Sequence, residues 1–131
     1  MIVDTSAIIA VLLDEPEGAR MTTAMLSDPP VRMSAATYVE CAVVADHRSK
    51  PATRAKFDQI LEELGVKTVA LTPEQAAIAR EAYRVYGRGS GHPAQLNLGD
   101  CFSYALAADM REPLLFKGDD FSETDITPQQ Y

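Results

Sequence analysis

The sequence predicts an α/β fold with a central, mostly parallel sheet covered by helices on both faces. Two observations predict it. Short apolar runs of strand length alternate with longer segments of helical pattern from end to end. Helix-start signals and breakers separate these segments, with no internal repeat, low-complexity stretch or linker.

Each element has its own local reason. Residues 1–4 read as a short buried strand. Residues 5–13 read as a helix that is apolar nearly all round from Ala7 to Leu13, hence interior. Pro16 opens a second helical stretch to about Ser27, which Asp28-Pro29-Pro30 breaks. Val31 to Met33 suit a short strand, and Ser34 is placed to cap a helix reaching about Arg48. Pro51 fits the first turn of the next helix and Gly65 its end. Val66 to Leu71 read as a strand. Thr72-Pro73-Glu74-Gln75 matches a capping box with proline at the first helical position, and that helix runs to about Tyr86. The Gly/Pro-rich stretch 87–98 reads as a flexible loop. Residues 99–110 return to a helix, Leu114 to Phe116 form a short strand, and a turn with an irregular tail follows.

Bulk properties bound the function. The 131 residues suit one domain, 1–131, large enough for a real core. Hydrophobic residues make up 47% and charged residues 24%, a globular balance. No apolar run approaches the ~20 residues needed to span a bilayer. Met1-Ile2-Val3-Asp4 lacks the features of a signal peptide, so a cytoplasmic location and no membrane partner are expected. Cys41 and Cys101 do not make a disulfide framework and read as small buried residues. A net charge of −7 argues against binding nucleic acid through a basic surface. It does not exclude a nuclease, because bound divalent ions reverse the local field of clustered acids.

Four acidic words stand out: Ile2-Val3-Asp4-Thr5-Ser6-Ala7, Tyr38-Val39-Glu40-Cys41, Leu98-Gly99-Asp100-Cys101 and Phe116-Lys117-Gly118-Asp119-Asp120-Phe121. Each sets a carboxylate in or beside an apolar run, where an unpaired charge is expensive. Asp4 has an ordinary role available as a helix N-cap, but Thr5 and Ser6 are also cap formers, which leaves one of the three to spare. Glu40 shares helical spacing with Ala36, Val43 and Val44, so it lies on an apolar face and needs a partner, an ion or a cavity mouth. Asp100 opens the apolar run Cys101 to Ala108, where a dipole-favoured first-turn acid is the plain alternative. Asp119-Asp120 after a glycine is ordinary turn chemistry. Which of the two faces a site stays open, with Asp119 preferred.

As a set these acids mean more. In an open parallel sheet, sites form beyond the carboxyl ends of the strands. Asp4 and Asp119 each follow a predicted strand, so both fall at the same sheet edge. Three or four carboxylates sharing one pocket repel and call for Mg²⁺ or Mn²⁺, which prefer oxygen ligands. No Cys/His spacing suits zinc. With only His47 and His92 present, a histidine triad has little material, and His92 in its loop reads as exposed. A carboxylate-bound metal orients water, lowers its pKa and neutralises charge at a phosphodiester. Ser6 could orient a ligand or water. Arg48, Lys50, Arg54, Lys56, Arg88 and Lys117 are candidates to hold phosphates, though scattered cations are mostly plain solvated residues.

Taken together, Asp4-Thr5-Ser6-Ala7, Glu40, Leu98-Gly99-Asp100 and Leu115-Phe116-Lys117-Gly118-Asp119-Asp120-Phe121 resemble a PIN-domain ribonuclease toxin of the VapC type, from VapBC toxin–antitoxin modules. The resemblance covers essentially the whole chain, in order. It implies a three-layer α/β/α fold and a Mg²⁺- or Mn²⁺-dependent endoribonuclease. It implies that Asp4, Glu40, Asp100 and a fourth acid at Asp119 or Asp120 bind metal. It also implies homodimerisation and a cognate VapB-like antitoxin that inserts a C-terminal segment into the acidic pocket.

Other readings compete. A receiver-like regulatory module fits the length and alternation, but no acid ends the strand Val66–Leu71. An aspartyl phosphatase usually needs a second acid two residues after the first, where Ser6 stands. A PIN-like domain that only binds RNA remains compatible with fold alone.

Overall fold

The computed structural model describes residues 1–48 and 51–131, with the side chains of 48 and 51–54 outside that description. The elements in chain order are β1 (Ile2–Val3), α1 (Thr5–Leu12), α2 (Gly18–Ser27), β2 (Val31–Ser34), α3 (Ala35–Arg48), α4 (Pro51–Glu63), β3 (Val66–Val69), α5 (Pro73–Tyr86), α6 (Leu98–Met110) and β4 (Leu114–Leu115). A 3₁₀ turn follows at Asp120–Glu123.

Local signals set most of these boundaries. Asp4 holds an extended backbone and accepts from the Ser6 amide at 2.9 Å, which starts α1. Thr72 and Gln75 close both halves of the capping box at the start of α5, and Gly87 ends that helix. Other boundaries differ from the expectation. Residues 15–17 form a turn, closed by the Gly18 amide on Glu15 O at 2.9 Å, so α2 begins at Gly18 rather than Pro16. The strand expected to reach Leu71 ends at Val69, ahead of the Thr72 cap. The 87–98 loop is pinned at its base: Arg88 donates to Leu96 O at 3.0 Å, and Leu96 donates to Tyr86 O at 2.9 Å.

All four strands are parallel, in the order β3-β2-β1-β4. Register pairs Ile2 with Leu114, Val3 with Leu115, and Ile2 with Arg32. Alternation along β1 and β4 divides the core into two layers. Val3 and Leu115 pack into one cluster with Ile8, Met21, Met33 and Phe57, from α1, α2, β2 and α4. Ile2 and Leu114 pack into the other with Leu96, Leu106 and Phe116, under α5 and α6. This is the three-layer α/β/α arrangement, and β3 is an edge strand.

Cys41 lies in the first layer and Cys101 in the second; both are free and buried. Burial, followed by neighbouring carboxylates, pushes each thiol up to about 12, so both behave as small apolar residues. Among the described residues no helix is long and apolar enough to cross a membrane.

The topology also makes a crevice. The chain lays down β1, β2 and β3 in one direction, then returns to add β4 on the far side of β1. That reversal opens a gap beyond the carboxyl ends of β1 and β4, the usual ligand position in open parallel sheets. Ile8 on α1 is fully buried against this part of the sheet. Ile8→Ala is expected to cost about 2–5 kcal/mol, read as a lower midpoint in urea unfolding.

Candidate metal-binding active site

Asp4 stands one residue beyond β1, and its amide donates to Leu115 O of β4 at 3.0 Å. Its carboxylate is buried and densely bonded. Oδ2 accepts from the Ser6 amide at 2.9 Å and from Ser6 Oγ at 2.7 Å, while Oδ1 accepts from Ser103 Oγ at 2.7 Å. Ser6 Oγ in turn accepts from the Lys117 amide at 3.0 Å. The chain after β4 is thereby tied to the start of α1.

Glu40 projects from α3 and is half-buried, with Oε2 accepting from Thr5 Oγ1 at 2.7 Å. Its carboxylate rests over the first turn of α6. A Cβ built on Gly99 would collide with Glu40 Oε1, so the glycine in Leu98-Gly99-Asp100 makes room for this acid. Burial pushes the Glu40 pKa up, the Thr5 hydrogen bond opposes that, and Asp4 adds to the rise.

Asp100 is the third residue of α6, one position deeper than the sequence places it. Asn97 is the cap. Its Oδ1 accepts from the Asp100 amide at 3.1 Å, and Asp100 Oδ2 accepts from the Asn97 amide at 2.6 Å. This is a capping box with Asp in the position usually held by Glu or Gln. The dipole role and the site role therefore coincide in one residue. Burial pushes the Asp100 pKa up to about 7; the Asn97 hydrogen bond opposes the rise, and Asp4, Asp120 and Glu40 add to it.

In the last acidic word the two aspartates are placed differently relative to the cavity. Gly118, at φ 99°, turns the chain after β4. Both aspartates that follow are exposed, but it is Asp120 that lines the cavity and whose charge reaches Asp100. Asp119 is not among the lining residues; it precedes the 3₁₀ turn without capping it.

Asp4, Glu40, Asp100 and Asp120 thus surround one cavity of about 360 Å³. Thr5, Ser6, Glu15, Asn97 and Lys117 complete its polar wall, and Ile9, Val44 and Phe121 its apolar one. Among the described residues, no group of three His, Cys, Asp or Glu side chains is arranged to chelate an ion as it stands. The described hydrogen bonds of Asp4, Glu40 and Asp100 run to hydroxyls and backbone amides of their own surroundings. The donor chemistry nevertheless fits a hard divalent cation: the acids offer only oxygen, and a cation would offset both the burial that chiefly raises Asp100 and the smaller repulsion from Asp4, Asp120 and Glu40.

The other candidates separate clearly. Lys117 lines the cavity, with Nζ 2.6 Å from Glu15 and 3.4 Å from Glu17. Lys56 pairs with Asp14 at 3.3 Å, and Arg88 Nε donates to Gln95 O at 3.3 Å, neither of them in the cavity wall. The side chains of Arg48, Lys50 and Arg54 lie outside the described residues. His47 is exposed. His92 is half-buried rather than exposed: its ring meets Tyr86 edge-on, and Nδ1 accepts from the Ala94 amide at 3.2 Å. Sequence reasoning missed Thr5, Asn97 and Ser103. A hydroxyl inside the otherwise apolar run Cys101–Ala108 was the available signal for Ser103.

The raised pKa of Asp100 has a consequence for stability. Between its ordinary value of 3.8 and about 7, the folded chain holds a proton that the unfolded chain has released. In chelator, this contribution is full at acid pH and is lost as pH rises through that window. Asp100→Asn should flatten the decline, seen by comparing melting temperatures at about pH 5 and about pH 8.

Comparison with known proteins places this geometry. Residues 1–126 match the PIN domain family model. Ribonuclease VapC28 of Mycobacterium tuberculosis is 51% identical over 126 residues, 96% of this chain and 95% of that one. Two solved structures share the fold at 19% identity. One is Mycobacterium tuberculosis VapC20, described as a sarcin-ricin loop cleaving toxin, with TM-score 0.73 over 96% of this chain and 95% of that one. The other is a toxin–antitoxin complex from Klebsiella pneumoniae, with TM-score 0.70 over 99% of this chain and 98% of that one. An acid-lined cavity at the β1/β4 reversal, a family match over residues 1–126 and 51% identity to a named relative agree: this chain belongs to the PIN-domain family, among the VapC ribonucleases.

Proposed function

We propose that the chain is the toxin of a type II toxin–antitoxin module, an endoribonuclease that hydrolyses RNA phosphodiester bonds at the Asp4–Glu40–Asp100–Asp120 cavity with Mg²⁺ or Mn²⁺. The observation that carries this reading is the convergence of those acids, from four separate segments, on one cavity. VapC ribonucleases of the PIN family are in general divalent-metal dependent, which agrees with an all-oxygen donor set.

In this reading the four carboxylates hold the metal, with Asp120 as the fourth in place of Asp119. Held there by Asp4, Glu40, Asp100 and Asp120, a divalent ion would supply charge neutralisation at a phosphodiester and a lowered pKa for water. Ser6 keeps Asp4 oriented while its hydroxyl holds the Lys117 amide, so the acid and the Lys117 segment stay in register. Lys117 can place its ammonium on a substrate phosphate once it leaves Glu15 and Glu17. Asp100, with a pKa of about 7, must lose its proton to serve as a ligand, so metal binding and activity should rise with pH toward neutrality.

A cognate VapB-like antitoxin, placing a basic side chain in the acidic cavity, and a homodimer complete the proposal. Net charge −7 and the exposed apolar Leu98, Val39 and Val43 favour a basic, apolar-flanked segment as partner. RNA binding would then be confined to the metal-loaded site, in keeping with an acidic chain.

The direct test is RNA cleavage by the purified chain with added Mg²⁺ or Mn²⁺. We expect cleavage that stops in excess chelator and is abolished in Asp4→Asn and Asp100→Asn variants that keep wild-type circular dichroism. Asp120→Asn should lose ~10-fold or more, while Asp119→Asn stays close to wild type. Cleavage that persists in chelator would overturn metal dependence; the reverse ranking of the two aspartates would restore Asp119. Gly99→Ala, which displaces only the end of the Glu40 side chain, should reduce cleavage while leaving the urea midpoint nearly unchanged.

A further inference from the structure

Two hydroxyls behind the cavity have no role in the reading so far. Ser103 lies in α6, three residues after Asp100, and Thr37 lies in α3, three residues before Glu40. Both are completely buried. Ser103 Oγ donates to Asp4 Oδ1 at 2.7 Å and sits 3.2 Å from Thr37 Oγ1. A serine hydroxyl has one proton to give. With that proton on Asp4, the contact with Thr37 has a single polarity: Thr37 donates and Ser103 accepts. The result is a directed chain, Thr37 to Ser103 to Asp4, crossing from α3 through α6 to the end of β1.

Nothing about helix stability requires this chain. A serine inside a helix ordinarily bonds back to the carbonyl one turn earlier. Ser103 instead gives its proton to a carboxylate 99 residues away. The occupancy of Asp4 shows what that does. A carboxylate offers about four lone-pair sites. Ser6 fills two of them at Oδ2, through its amide and its hydroxyl, and Ser103 fills one at Oδ1. Ser6 alone would anchor the carboxylate at one oxygen, Oδ2, so the plane of the group could still tilt about that contact. Ser103 anchors the second oxygen, which narrows the remaining rotation of the rigid group, and it leaves one lone pair, on the oxygen it holds.

We propose that Ser103, backed by Thr37, is a positioning residue that fixes the rotation of the Asp4 carboxylate and so presents its last Oδ1 lone pair to the divalent cation. The assignment rests on the metal-dependent reading above. It also explains why two polar side chains are tolerated where the surroundings are otherwise apolar: each hydroxyl is satisfied by the next. Partners of this kind typically change metal affinity by about 10–100-fold when removed.

The test uses the purified full chain, stripped of metal, with Mn²⁺ as the probe in calorimetric titration. Melting temperature in chelator and cleavage as a function of Mn²⁺ are measured beside it. Ser103→Ala should raise the Mn²⁺ Kd about 10-fold or more and shift the Mn²⁺ needed for half-maximal cleavage by the same factor. The RNA KM at saturating Mn²⁺ should stay within about twofold, since RNA does not touch Ser103. Thr37→Val leaves the Ser103–Asp4 bond in place and should shift the Mn²⁺ Kd in the same direction by less. A lower melting temperature with an unchanged Mn²⁺ Kd would mean a packing role and overturn the proposal. Should Ser103→Ala fail to fold, an unchanged Kd in Thr37→Val overturns it instead. Asp4→Asn separates the two readings. Wild-type Mn²⁺ binding in that variant would sink the metal site itself. Loss of binding there, with Ser103→Ala and Thr37→Val both unaffected, would sink only the Ser103 assignment.

Discussion

A carboxylate sealed from water needs a partner for nearly every lone pair, and meeting that demand at Asp4 organises the end of the sheet. Asp4 is only 3% exposed. Its partners come from the first turn of α1 and from the middle of α6, while its amide binds β4. Removing any one would leave a buried charge under-bonded, a penalty of a few kcal/mol. α1, α6 and β4 are therefore held in one arrangement by a single side chain and its backbone. The cavity is the space this arrangement leaves open.

The same junction sets the electrostatics. Four further acids line the cavity, Glu15, Glu40, Asp100 and Asp120, and the described pairing of the lining cation, Lys117, is to Glu15 and to Glu17. Negative charge is therefore only partly neutralised, and Asp100, the most buried acid after Asp4, carries a cost that comes first from burial and then from its acidic neighbours. Structural ion pairs elsewhere behave differently. Arg84–Glu81 and Lys56–Asp14 are exposed pairs of the ordinary kind, of little energetic weight. The acids at the cavity differ from these surface pairs in being mostly unpaired with cations among the described contacts.

Much of the fold was legible because its signals are local. The Thr72–Gln75 box, the apolar run of α1 and the breaks at Pro29-Pro30 and Gly65 act within a few residues, so their consequences follow from spacing. Asp4, Glu40 and Asp100 were legible because acids are costly in apolar runs. The choice between Asp119 and Asp120 was not. Adjacent residues in a turn point apart, and which one turns inward depends on the left-handed Gly118 and on where the 3₁₀ turn begins. His92 illustrates the same limit, since a loop histidine is exposed only if no ring such as Tyr86 crosses it.

By itself the sequence determined the alternation of elements, the capping box at Thr72–Gln75, the free cysteines and three of the acids that reach the cavity. Tertiary structure decided how those acids are held: Thr5 on Glu40, Gly99 beneath it, Ser103 and Thr37 behind Asp4, and Asp120 rather than Asp119 at the rim. The reason is range. Caps and breakers act through hydrogen bonds and dihedral preferences spanning three or four residues. Ser103 lies 99 residues from Asp4 and Thr5 lies 35 residues from Glu40 along the chain, each pair brought to 2.7 Å only where helices meet at the β1/β4 reversal.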